Sequence, residues 1–130
     1  MPKKAIQTAG APKAIGPYSQ GVRSGRLVFC SGQIGLGPGG GALVGTDVKA
    51  QARQAMNNLG AVLEAAGGSW ADVVKTTIYL TDLHDFDAVN AVYAEYVQEV
   101  SPARATVQVA ALPRGAAVEI EAIAHLEREP

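Results

Sequence analysis

Two hydrophobic rhythms run along the chain. Between positions 48 and 66, Val48, Ala52, Ala55, Met56, Leu59, Val62, Leu63 and Ala66 recur at helical spacing. They predict one helix with a single apolar stripe. Thr46 or Asp47 can cap its start, and Gly67-Gly68 supplies a left-handed stop. Phe86, Val89, Tyr93, Tyr96, Val97 and Val100 form the buried stripe of a second helix. Asp82 and Asp85 provide its cap and acidic first turn, and Ser101-Pro102 closes it. Asn90 falls on that same stripe. Elsewhere the period is two, as in a half-buried strand. From Pro102 to Val109, the residues Arg104, Thr106 and Gln108 share one face, and Ala105, Val107 and Val109 the other. From Val118 to Ala124, Glu119 and Glu121 oppose Val118, Ile120, Ala122 and Ala124. The β-branched run Val73 to Leu80 predicts a central strand. Leu27 to Ser31 predicts a buried strand ending at Gly32, and Ala5 to Thr8 an edge strand.

The order is strand, strand, strand, helix, strand, helix, strand, strand. It predicts an α+β fold of one domain over residues 1–130, with two helices on one face of a mixed sheet. The other face has no helix left to cover it. An uncovered apolar face seeks a partner, so self-association with closed cyclic symmetry is expected. Between the elements, Ala14 to Gly21 is punctuated by Gly and Pro and reads as a loop. Ser24-Gly25 and Leu112-Pro113-Arg114-Gly115 read as turns. Gly35 to Gly45 holds six glycines and Pro38, which predicts a mobile surface loop. No Gly-Lys-Ser/Thr follows it, and the G-x-G-x-x-G context of a nucleotide site is absent.

Composition narrows the function. Hydrophobic residues make up 48% and charged residues 18% of the 130 positions, as in a soluble globular protein with a real core. The formal net charge is −1, and Lys3-Lys4 is the only adjacent basic pair, so no nucleic-acid partner is expected. No apolar run approaches the ~20 residues of a membrane span, and the N-terminus lacks a signal-peptide core. A cytoplasmic location is expected. The single Cys30 excludes an intrachain disulfide. Together with the distant His84 and His125 it offers no metal spacing.

Against this background Arg104 and Glu119 stand out. A guanidinium and a carboxylate on apolar strands are costly to bury unpaired. They need each other, water or a ligand. Arg is the residue best shaped to grip a carboxylate with two parallel hydrogen bonds, although a structural ion pair remains an open role. Spacing cannot choose between Glu119 and Glu121, which share a face. Tyr18 follows Gly16-Pro17 in a loop, where it can face a cleft or lid the core. Ser31 can line a cleft or satisfy local backbone. Asn90, an amide on an apolar stripe, needs partners.

Three blocks then carry a resemblance. The first is Ala14-Ile15-Gly16-Pro17-Tyr18-Ser19-Gln20 followed by Val28-Phe29-Cys30-Ser31-Gly32-Gln33-Ile34. The second is Val74-Lys75-Thr76-Thr77 with Asp85-Phe86 and Val89-Asn90. The third runs from Pro102-Ala103-Arg104 through Leu112-Pro113 to Val118-Glu119-Ile120-Glu121-Ala122-Ile123-Ala124. Over nearly its whole length the chain resembles the RidA/YjgF family of enamine/imine deaminases. The resemblance implies a chorismate-mutase-like fold, in which three subunits form a barrel with helices outside and ligand clefts between subunits. It implies hydrolysis of 2-imino or 2-enamino acids, shed by pyridoxal-phosphate enzymes, to 2-keto acids and ammonia. Such substrates include 2-aminoacrylate, 2-iminopropanoate and 2-iminobutanoate. No metal or organic cofactor is implied. By position, Arg104 matches the arginine that binds the substrate carboxylate, and Glu119 the glutamate that holds the attacking water. Tyr18, Ser31 and Asn90 match cleft-lining residues. Thr106 stands where several members have cysteine, at a position that contacts ligand mainly through its main chain. The glycine-rich Gly35 to Gly45 departs from the more polar family loop. Alternatives are a small-metabolite-binding or chaperone-like trimer, and a ribonuclease or translation inhibitor, which the near-neutral charge disfavours.

Overall fold

The computed structural model describes residues 2–97 and 100–127. The strands are β1 (Lys4–Ile6), β2 (Gly21–Ser24), β3 (Leu27–Gln33), β4 (Val73–Leu80), β5 (Ala103–Gln108) and β6 (Val118–His125). The helices are α1 (Val48–Ala65) and α2 (Phe86–Tyr93). The six strands form one mixed sheet in the order β1-β2-β3-β6-β4-β5. Only β4 and β5 pair in parallel, and α2 lies between them in sequence, as parallel neighbours require a crossover.

Period-two burial fixes the two faces. Thr76, Ile78 and Leu80 of β4, with Val118, Ile120, Ala122 and Ala124 of β6, are buried. The apolar ones form one core with Met56, Leu59, Val62 and Leu63 of α1 and Val89, Val92 and Tyr93 of α2. Both helices therefore cover one face, as the sequence predicts. The opposite face exposes Leu27, Phe29 and Val107 at 39%, 43% and 42%. This is the uncovered apolar surface anticipated above.

The helix boundaries follow their caps. The Asp47 side chain accepts from the Lys49 amide at the start of α1. At its end Gly67 takes φ 91°, and the Gly68 amide donates to Leu63 O. The second helix is shorter than its stripe suggests. It ends at Tyr93, and residues 94–96 close in turns in which Glu95 N donates to Val92 O and Tyr96 N to Tyr93 O. Val100 is 89% exposed instead of buried, and Phe86 is 38% exposed. The stripe overran because Tyr96 packs from a turn, its ring 6.2 Å from that of Trp70. The edge strand stops at Ile6, short of the expected Thr8, because the Thr8 amide donates to Gln20 Oε1 at 2.7 Å instead of joining a ladder.

The glycine-rich segment also differs from expectation. Its base is anchored: Leu36 is buried and bridges Leu43, and Val44 N donates to Gly35 O. Its tip lacks packing. A Cβ built at Gly37, Gly39, Gly40 or Gly41 would meet nothing within 4 Å.

Candidate functional site

The predicted site residues separate into two groups, one on each side of the sheet. Arg104 lies in register with Thr76 of β4, and Glu119 with Tyr79. Registered neighbours share a face. Thr76 is buried under the helices, whereas Tyr79 alternates to the open face. Arg104 and Glu119 therefore project from opposite faces of one chain and do not pair with each other.

Arg104 instead stacks on aromatic rings. Its guanidinium carbon lies 5.4 Å from the Phe86 ring centre and 5.0 Å from that of Tyr93. Both are cation–π distances. Tyr93 is itself held by a 2.7 Å hydrogen bond between its hydroxyl and Thr76 Oγ1. Asn90 is one turn from Phe86 on α2, so it shares that helix face. Thr106 follows Arg104 on the same strand face, and its Oγ1 is buried with no hydrogen-bond partner. This group is a planar, oriented cation beside unspent polar atoms, on the edge strand of the sheet.

The second group surrounds a cavity of about 690 Å³ lined by Tyr18, Ser31 and Glu119 among others. Tyr18 is 54% exposed. It is placed by a tight turn in which its amide donates to Gly16 O at 2.8 Å. The Ser31 hydroxyl donates to Ser19 O at 2.6 Å, which pins the Tyr18 loop to β3. Its lone pairs stay available to the cavity.

Glu119 is half-buried, and among the described residues no hydrogen bond reaches its carboxylate. Its pKa is raised, first by burial and then by the nearby charge of Glu121. Glu121 is engaged otherwise: it accepts a 2.9 Å hydrogen bond from the Tyr79 hydroxyl. Two carboxylates that spacing could not separate thus have different surroundings. A partly desolvated, unpartnered carboxylate with a raised pKa is poised to take a proton. Gly32 makes the room for it. A Cβ there would lie 2.9 Å from Glu119 Cδ, closer than real Cβ atoms approach.

Three buried amides brace segments around the cavity, Gln20 from its lining and Gln51 and Asn58 from α1 behind it, and the sequence did not single them out. Gln20 donates to the carbonyls of Thr8, Ala11 and Pro12 and so clamps the N-terminal segment. Gln51 of α1 donates to Gly45 O and accepts from Ala117 N, both at 2.8 Å. Asn58, fully buried, donates to the carbonyls of Ile34 and Leu36. For Gln51 and Asn58 the available signal was a polar residue on the apolar stripe of α1. A buried amide is kept only where it satisfies backbone groups that have no ladder.

Among the described residues no cluster of His, Cys, Asp and Glu could hold a metal ion. Cys30 is buried, and desolvation pushes its thiol up to about 12. His84 and His125 are both exposed.

Comparison with known proteins bears on this geometry. Residues 8–126 match the family described as Endoribonuclease L-PSP. The 2-iminobutanoate/2-iminopropanoate deaminase of Mus musculus is 55% identical over 122 residues, 94% of this chain and 90% of the relative. The crystal structure of RidA from an Antarctic Psychrobacter superposes with a TM-score of 0.91 at 50% identity, covering 95% of this chain and 99% of that one. The structure of E. coli TdcF with bound serine gives 0.89 at 47% identity, covering 94% and 98%. With its sheet order, helix placement and near-complete coverage in agreement, the chain belongs to the RidA/YjgF family.

Proposed function

We propose that the chain is an enamine/imine deaminase that hydrolyses 2-imino acids to 2-keto acids and ammonia. One observation carries this: Glu119 stands half-buried and unpartnered, with raised proton affinity, in a cavity of a chain 55% identical to a named deaminase. The substrates are the reactive products of pyridoxal-phosphate enzymes, 2-aminoacrylate with its tautomer 2-iminopropanoate, and 2-iminobutanoate.

Because Arg104 and Glu119 lie on opposite faces, a site that uses both needs two copies of the chain. We assign the working form as a homotrimer with clefts between subunits, acting in the cytoplasm. The exposed Leu27, Phe29 and Val107 give such an assembly an apolar face to bury.

In the cleft, Arg104 of one copy holds the substrate carboxylate through its planar fork, a charge-assisted contact of about 1.5–3 kcal/mol per hydrogen bond. The Phe86 and Tyr93 rings keep the fork oriented. Asn90 and the Thr106 main chain line the same half. Glu119 of the neighbouring copy holds a water and accepts its proton as the oxygen bonds to C2. The C=N π electrons move to nitrogen and give a tetrahedral carbinolamine. The proton on Glu119 passes to that nitrogen, the C–N bond breaks, and ammonia leaves as the C2 hydroxyl gives its proton back to the Glu119 carboxylate and the C2 carbonyl forms. Solvent or the departing ammonia then takes that proton. Tyr18 and Ser31 hydrogen-bond substrate or water. The iminium carbon is electrophilic already, and general-base help is worth ~10²–10⁴ in rate.

The test is 2-aminoacrylate generated afresh from serine by a pyridoxal-phosphate lyase. The protein should accelerate pyruvate release above the spontaneous rate at catalytic concentration. Pyruvate release unchanged by the protein, with salt-sensitive RNA cleavage found instead, would favour the activity named in the family description.

A further inference from the structure

Arg114 stands in left-handed backbone at φ 62°, and Gly115 follows at 70°. Glycine adopts that conformation without a steric penalty, whereas a residue with a Cβ is strained in it. A strained residue kept where glycine would serve points to a task for its side chain. The Arg114 guanidinium donates to Gly41 O at 2.5 Å, across 73 positions of sequence. Gly39, Gly40 and Gly41 line the same cavity as Arg114 and Glu119. Packing does not hold them, since a Cβ at any of the three would touch nothing. Beyond the Leu36–Leu43 bridge at the base of the segment, the Arg114 contact is the long-range tie at its tip. The turn carrying Arg114 runs into β6 and so into Glu119. One hydrogen bond thus joins the glycine-rich wall to the strand bearing the carboxylate.

We propose that Arg114 is a positioning residue that determines specificity. It pins the glycine-rich segment against the Glu119 cavity and limits the side chain admitted at C3 of the substrate. This rests on the deaminase function above. The neighbouring wall is apolar, with Ile15, Ile34, Leu36 and Pro38. The pinned site therefore takes short aliphatic 2-imino acids, derived from alanine or 2-aminobutyrate, ahead of those derived from leucine or phenylalanine.

The test compares Arg114→Gly, Arg114→Ala and Arg114→Lys with the unaltered protein. An L-amino-acid oxidase supplies the imines from each amino acid, and keto-acid release is followed. Arg114→Gly removes the strain together with the tie, so its fold is preserved. The preference in kcat/KM for short over bulky imines should fall about tenfold in the Gly and Ala variants, the worth of one methylene in an apolar pocket. The kcat for the alanine-derived imine should stay within about twofold, because Arg114 touches no reacting atom. Arg114→Lys, which keeps a donor, should restore the preference. Amide hydrogen exchange over residues 37–45 should quicken in the Gly and Ala variants and not in the Lys variant. Unchanged exchange overturns the tie, and faster exchange with an unchanged preference overturns the specificity role. If the unaltered protein accelerates no imine, the proposed function itself falls, and the specificity role with it.

Discussion

Gly32→Ala separates the position of the Glu119 carboxylate from everything else in the site. The added Cβ would fall 2.9 Å from Glu119 Cδ and 3.1 Å from Cγ. The clashing atoms are the end of a flexible side chain, so the strand can stay while the carboxylate swings away. Moving that side chain off its rotamer costs about 0.5–1.5 kcal/mol. Removing glycine's freedom in the unfolded chain offsets about 0.4–1 kcal/mol of this. The melting temperature should therefore move by only a few degrees. The rate should not escape so lightly. A displacement of about 1 Å in a positioned group costs ~10²-fold, which corresponds to about 2.7 kcal/mol of barrier. Deaminase turnover of 2-iminopropanoate should fall by that factor. Binding of 2-oxobutyrate, measured by calorimetry, should stay within a few fold, because Arg104 is on the opposite face and unchanged. A Gly32→Ala protein that turns over at the full rate would refute the placement of the base beside Gly32.

The same division of labour sets the other expectations. Arg104→Lys keeps the charge but loses the planar fork, so 2-keto acid affinity should weaken, and Arg104→Ala should nearly abolish it in the same calorimetric titration. Glu119→Gln should leave that affinity within a few fold while turnover collapses, whereas Glu121→Gln, which loses only the Tyr79 hydrogen bond, should stay active; the reverse result would move the base one pleat along β6. Burial raises the Glu119 pKa, so kcat/KM should fall as pH drops through a value above the ordinary glutamate range. The same shift has a stability sign. The folded state holds the Glu119 proton more tightly than the unfolded chain, so ionisation weakens the native protein as pH rises through the raised value. Glu119→Gln should therefore melt above the unaltered protein at neutral pH, with the gap closing below the ordinary glutamate range in paired calorimetric scans.

Periodicity served best where burial is one-sided. The alternation in β6 placed Glu119 and Glu121 opposite Val118 and Ile120, and the stripe in α1 found its core face, because each pattern follows from one local geometry. Three kinds of information were beyond that reach. Opposite-face placement of Arg104 and Glu119 depends on how β5 registers against β4, which neither strand encodes alone. The difference between Glu119 and Glu121 comes from Tyr79, on another strand. The roles of Gln20, Gln51 and Asn58 depend on which loop carbonyls pass close to them in space. The stripe of α2 misled at Val100, where apolar spacing continued past the last helical turn.

If one site draws Arg104 and Glu119 from different copies of the chain, as proposed, two inactive variants should complement each other. Arg104→Ala and Glu119→Gln proteins, each inactive alone, should be mixed in equal amounts, dissociated and reassembled, then assayed for 2-aminoacrylate hydrolysis. In a cyclic assembly each cleft takes its arginine from one copy and its glutamate from the next, so roughly a quarter of the clefts regain both. Recovery of about a quarter of the unaltered activity is expected from two inactive proteins. A mixture no more active than its separate components would contradict it.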